Sequence, residues 1–186
     1  MIEITIVAGL ILLNGLFAMS ELAIVSASKP LLRSMAERGQ PGASAAVQLA
    51  DDPGRFLSTV QIGITLIGIV AGAFSGATIG GMLVRVLLDA GLPGPAASAL
   101  GYGGVVAIIT YLSVVVGELV PKQLALRNAE RVACLIAPPM QILSRIAGPI
   151  VWLLDASTRL IFRLLGLSDT NDDQVTEEEI KSMVAE

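Results

Sequence analysis

Three long uncharged stretches run through this chain, separated by short segments where the charges gather. Residues 4–20, 56–84 and 91–117 contain no Asp, Glu, Lys or Arg. A helix of about 20 apolar residues spans the hydrocarbon core of a bilayer. The second and third stretches exceed that length. The first reaches it when extended past Glu21 to Ile24 and Val25. The pattern predicts an all-α integral membrane protein with three spanning helices, over residues 2–26, 56–88 and 95–126. Pro121 lies inside the third and predicts a kink, because proline has no N–H for the helix ladder. Residues 27–55 read as a polar connection with one short helix near 31–37. The breaker-rich sequence from Asp89 to Pro95 predicts a short turn before the third helix.

The second stretch carries glycine at every fourth place: Gly68, Gly72, Gly76 and Gly80. Such a ridge lets another helix approach closely, within the protomer or from a second copy. Residues 132–167 are apolar but are interrupted by Arg145, Asp155, Arg159 and Arg163, and by Pro138, Pro139 and Pro149. A fourth span would place Arg145 near mid-bilayer, which is costly if it is unpaired. The expectation is a broken amphipathic helix in the cytoplasmic interface, anchored by Trp152. Residues 168–186 are acidic, and Thr176 with Glu179 resembles a capping box opening a further helix. The expected organisation is a three-helix core at 1–131, a juxtamembrane helix at 132–167, and at 168–186 the start of a linker to a cytoplasmic domain beyond this chain.

Composition strengthens the membrane reading. The 186 residues are 54% hydrophobic and 15% charged, against roughly 25% charged in soluble domains. The first run has no basic flank and carries Glu3, so a retained first helix is expected rather than a cleaved leader. Basic residues gather in the 27–55 connection (Lys29, Arg33, Arg38, Arg55) and after the third helix (Arg127, Arg131). By the positive-inside rule both regions face the cytoplasm. The N-terminus and the 89–95 turn are then outside, and the C-terminus is inside, in a plasma (inner) membrane. The chain has no histidine and one cysteine, Cys134. That removes an intramolecular disulfide, the usual zinc ligands and the usual general base. With no nucleophile–base constellation and no cofactor loop, neither an enzyme nor a nucleic-acid binder is expected.

The candidate chemistry lies at the end of the third stretch, in VVVGELVPKQLALR. A carboxylate at the rim of a membrane helix, Glu118, is costly without a partner. Pro121 cannot donate to the carbonyl of Gly117, so a freed oxygen stands beside that carboxylate. The two oxygens look like half of a cation site. The first helix adds Ser20 and Glu21, and the second adds Ser58, Thr59, Gln61 and Thr65. Under the assigned topology all of them lie toward the cytoplasmic half. A site built of oxygen favours hard cations such as Mg²⁺, Ca²⁺ or Na⁺. Plainer readings compete at each residue. Ser and Thr hydroxyls bond back to a carbonyl one turn earlier. Gln61 can bond across helices. Glu118 and Lys122 are one turn apart and can form a salt bridge.

Three ordered strings, FAMSELAIVSAS, FLSTVQIGITLIGIVAGAFSG and GELVPKQLALRNAE, resemble the signature stretches of the CorC/CNNM family's transmembrane (DUF21-type) domain. The resemblance extends to TEEEIKSMV near the C-terminus. Ala18 departs from the pattern, standing where many relatives have serine. The resemblance implies a magnesium transporter, exporting Mg²⁺ coupled to Na⁺ entry, built as a homodimer of three-helix protomers with a belt-like juxtamembrane helix. It also implies nucleotide sensing by a CBS-domain pair that this chain lacks. Carried over residue by residue, it makes Ser20 and Glu118 the foremost metal ligands, then the Gly117 carbonyl, then Gln61 and Thr65. Glu21, Pro121 and Lys122 are supporting residues. A passive divalent-cation channel and a membrane anchor for a regulatory domain are the competing readings.

Overall fold

The computed structural model describes residues 2–165, and their regular secondary structure is entirely helical. The first expected span is α1, Ile2–Ser26. The connection after it is mostly helix: α2, Lys29–Glu37, and α3, Ala43–Asp51. Lys29 and Arg33 of α2 both reach Asp51 of α3, at 3.7 and 3.3 Å. Leu32 and Ala46, between these charges, are fully buried. Gly42, between the two helices, has φ 78°, and a Cβ there would lie 1.9 Å from the Cys134 carbonyl oxygen. Only glycine permits both the left-handed backbone and that approach.

The second span is α4, Pro53–Ser75, a π-helical segment Gly76–Gly80, and α5, Gly81–Asp89. The third is α6, Gly94–Val114, a π segment Val115–Leu119, and α7, Val120–Arg127. Last comes α8, Ala129–Leu164. Close approaches fix how the spans run. Gly63 of α4 lies against the Phe17 ring of α1, and Gly101 of α6 lies against Val84 of α5. Gly15 of α1 faces Pro121, while Gly117 faces Ile11 and Asn14. The first and third spans are therefore parallel and in direct contact, with the second antiparallel to both, as an alternating topology requires.

Of the two packings expected for the glycine ridge, the one within the protomer is missing at Gly68, Gly72 and Gly76 among the described residues: a Cβ at any of the three would meet nothing within 4 Å. The glycines that admit close neighbours are Gly15, Gly42, Gly63, Gly80, Gly101, Gly117 and Gly148, so of the ridge only Gly80 meets another helix. Against expectation, the prolines do not break the segment after residue 131. Helix α8 is continuous over 36 residues through Pro138, Pro139 and Pro149. All three prolines are exposed, while Ala129, Ala133, Ala137, Met140 and Ser144 form a buried face at helical spacing. Packing along that face outweighs the backbone bonds the prolines forfeit.

Among the described residues, four helices are long and apolar enough to cross a membrane: Ile2–Ser26, Pro53–Asp89, Gly94–Arg127 and Ala129–Leu164. That is one more than the charge pattern predicts. The chain divides into two units, Met1–Gly148 and Pro149–Glu186, and the boundary falls inside α8. In the first unit the main buried cluster joins Phe17 and Ile24 of α1, Leu32 of α2, Phe56 of α4, and Ile136 and Met140 of α8. The outer faces of the spans expose Leu12, Leu66, Ile69, Leu100 and Ile108, which suits a lipid surround. In the second unit, residues 149–165 present exposed Trp152, Leu153, Leu160 and Ile161. Residues 168–186, with the expected capping box, lie outside the described residues.

Candidate functional site

Pro121 shapes the site before any side chain does. Its ring and missing N–H disrupt the α ladder at residue 117, one turn back. The chain absorbs this in the π segment Val115–Leu119, where the Val120 N–H bonds five residues back to the Val115 carbonyl. Short π segments inside α-helices frequently mark functional sites. The Gly117 carbonyl, which Pro121 cannot serve as a donor, accepts a hydrogen bond from Asn14 Nδ2 at 3.0 Å. Glycine eases the approach here, because a Cβ at 117 would lie a tight 3.1 Å from the Ile11 carbonyl oxygen. Gly15 allows the same approach from α1, where a Cβ would lie 2.9 Å from Pro121 Cγ.

Asn14 is the functional candidate that sequence reasoning passed over as a ligand. It is 8% exposed, and its Oδ1 has no hydrogen-bond partner. The available signal was an amide inside an otherwise apolar run. Asn14 lines a cavity of about 210 Å³, together with Gly68 and Gly72 of α4, Thr110 and Ser113 of α6, and Glu118. The cavity therefore faces the bare part of the glycine ridge. Its polar lining is rich in acceptors, and no Lys or Arg lines it. A buried acceptor without a donor, in a cavity that a carboxylate also lines, favours a cation.

Glu118 is tied to Lys122, whose Nζ donates to Oε1 at 2.8 Å. The same ammonium lies 3.8 Å from Glu21 Oε2. Two carboxylates from different helices thus share one cationic side chain. Ser20 is fully buried one residue before Glu21, and its hydroxyl donates to the Phe17 carbonyl at 2.7 Å. Its oxygen retains acceptor capacity. Gln61 and Thr65 are exposed on α4, and the cavity is lined instead by Ile64, Gly68 and Gly72 of that helix. Thr59 bonds back to the Arg55 carbonyl at 2.9 Å. The structure therefore brings together Glu118, Gly117, Pro121, Lys122 and Glu21 with Asn14. Among the described residues, no three His, Cys, Asp or Glu side chains converge on a common point. Any ion here would be held by one or two carboxylates with neutral oxygens.

The family profile described as Cyclin M transmembrane N-terminal domain matches residues 5–186. A UPF0053 protein of Synechocystis sp. is 46% identical over 183 residues, covering 98% of this chain and 41% of that protein. A UPF0053 protein of Bacillus subtilis is 34% identical, covering 100% of this chain and 42% of the relative. A Haemophilus influenzae protein named polyamine export protein is 26% identical, covering 96% and 41%. The chain spans about two fifths of the length of these relatives.

Proposed function

The chain belongs to the cyclin M transmembrane domain family, and from that premise we propose that it is the membrane domain of a magnesium transporter that exports Mg²⁺ in exchange for entering Na⁺. The observation that carries this reading is the acceptor-lined cavity, where the Asn14 amide oxygen lacks a donor and Glu118 supplies negative charge. Mg²⁺ takes oxygen ligands and gives up its water reluctantly. One carboxylate with amide, hydroxyl and carbonyl oxygens can hold it, with part of its hydration kept, and still let it go. The Gly117 carbonyl, next to Glu118 in sequence, and Ser20 of α1 complete the proposed ligand set, with Gln61 and Thr65 as outer contributors. The bare glycine ridge supports a homodimer, since a second copy is one way to cover it. The first half of α8 packs with α2 and α3, which carry Lys29, Arg33 and Asp51. That favours α8 as a juxtamembrane belt over α8 as a fourth span.

A second reading rests on a specific observation. The cation that Glu118 and Glu21 hold in this structure is an alkylammonium, the Lys122 side chain. A relative is named polyamine export protein. An organic polyamine is therefore the alternative substrate for the same carboxylates.

Proteoliposomes loaded with a Mg²⁺-sensitive dye test the proposal. Mg²⁺ flux is expected to follow an imposed Na⁺ gradient and to fall at least tenfold in Glu118→Gln, with oligomeric state unchanged. Flux independent of Na⁺ would mean a passive pathway. Labelled spermidine moving while Mg²⁺ does not would select the second reading. Normal Mg²⁺ flux in Glu118→Gln would sink the site assignment.

A further inference from the structure

A second polar cavity, of about 290 Å³, lies between α3, the start of α4 and α8, away from the site described above. Its polar lining is Gln48 and Asp52, Arg55 of α4, and Gln141, Ser144 and Arg145 of α8. Three features of it are unusual within this chain. First, Ser144 is 7% exposed and its hydroxyl has no partner. Ser157 and Thr158 of the same helix bond back to the Leu153 and Leu154 carbonyls. Ser144 does not take that ordinary route. Second, neither Arg55 nor Arg145 forms an ion pair among the described residues, whereas Lys29, Arg33 and Lys122 all do. Third, the Arg55 guanidinium lies directly over Gly148, where a Cβ would come within 2.2 Å of Nη2. Gln141 donates to Gln48 across the cavity and ties α8 to α3.

The cavity thus combines two unpaired guanidinium groups with a buried, unpartnered hydroxyl, set against one carboxylate. We infer that it binds a phosphate group. Guanidinium groups match phosphate oxygens in pairs, and a hydroxyl donates readily to the same anion. Asp52 leaves the lining with one net positive charge and can accept from a hydroxyl or amine on the ligand. The lining residues come from the basic 27–55 connection and from the segment just past the third span. Basic pockets at such positions take acidic lipid headgroups, and a soluble phosphate carries the same chemistry.

The whole chain in detergent tests this. Bound phosphatidylglycerol is counted by native mass spectrometry, and inorganic phosphate is titrated separately by thermal shift. The wild type is expected to retain one of these probes, and Ser144→Ala and Arg145→Gln are each expected to weaken it about tenfold. Retention of the lipid with no response to inorganic phosphate assigns a headgroup site. A saturable response to inorganic phosphate that both variants lose assigns a soluble ligand. Ser144→Ala is also the folding control, because its hydroxyl makes no bond without a ligand. Its melting temperature free of both probes should hold or rise. Equal binding by the wild type and both variants, or no binding of either probe, overturns the inference.

Discussion

Asn14 spends one end of its amide on the Gly117 carbonyl and leaves the other end bare. Removing it in Asn14→Ala strands a buried backbone acceptor. The expected loss is about 1–3 kcal/mol, seen as a lower unfolding temperature in detergent. Lys122 is a second informative position, because its ammonium sits where it repels an incoming cation. In Lys122→Met that repulsion disappears while both carboxylates remain. Cation affinity is expected to rise about tenfold, measured by Mg²⁺ titration of the purified chain; weaker binding would make Lys122 a necessary part of the site. At this scale the sequence was readable in part. The freed Gly117 oxygen beside Glu118 followed from one proline. For Ser20 and Lys122 the plainer readings, a bond back along the helix and a salt bridge, are both present. Asn14 could not be assigned, because its partner lies 103 residues away and nothing local names it.

The glycines separate into two classes once the helices are packed. A Cβ on Gly101 would come within 2.4 Å of the Val84 side chain and 2.9 Å of its backbone nitrogen. The backbone cannot step aside, so Gly101→Ala should force α5 and α6 apart and cost about 1–3 kcal/mol. Gly72 faces open space. Gly72→Ala should leave thermal stability level or raise it by up to about 1 kcal/mol, while narrowing the cavity and slowing transport. Melting curves and flux measured on the same preparations check both expectations. Hydropathy located three of the four candidate spans because apolar length is a one-dimensional property. It could not sort the glycines, because which of them meets a neighbour depends on how the spans cross. The 27–55 connection looked polar because Lys29, Arg33 and Asp51 dominate its composition, yet Leu32, Ala46 and Leu49 give α2 and α3 buried faces. In α8 the prolines outweighed the alanine face in the reading, and the fold reversed that order.

At the scale of the whole molecule, the parallel first and third spans place the 27–55 helices and the start of α8 at one end, with the 89–95 turn at the other. With Cys134 replaced by serine, Ala90→Cys should react with a membrane-impermeant maleimide in intact cells. Glu37→Cys should react only after the membrane is opened; the reverse pattern would invert the proposed orientation. The pairing of Lys122 with Glu118 and Glu21 has a further, electrical consequence. Two carboxylates against one ammonium leave a single formal negative charge on the empty trio, and the proposed Mg²⁺ load would turn it into a single positive one. Each charge that crosses the membrane exchanges about 2.3 kcal/mol with every 100 mV of voltage. An inside-negative voltage therefore drives the empty trio outward and resists outward movement of the loaded one. Without the ammonium, the loaded trio is neutral and its passage is blind to voltage, while the empty trio carries twice the charge. With the lysine, voltage acts on both halves of the proposed transport cycle; without it, voltage acts on the empty half alone.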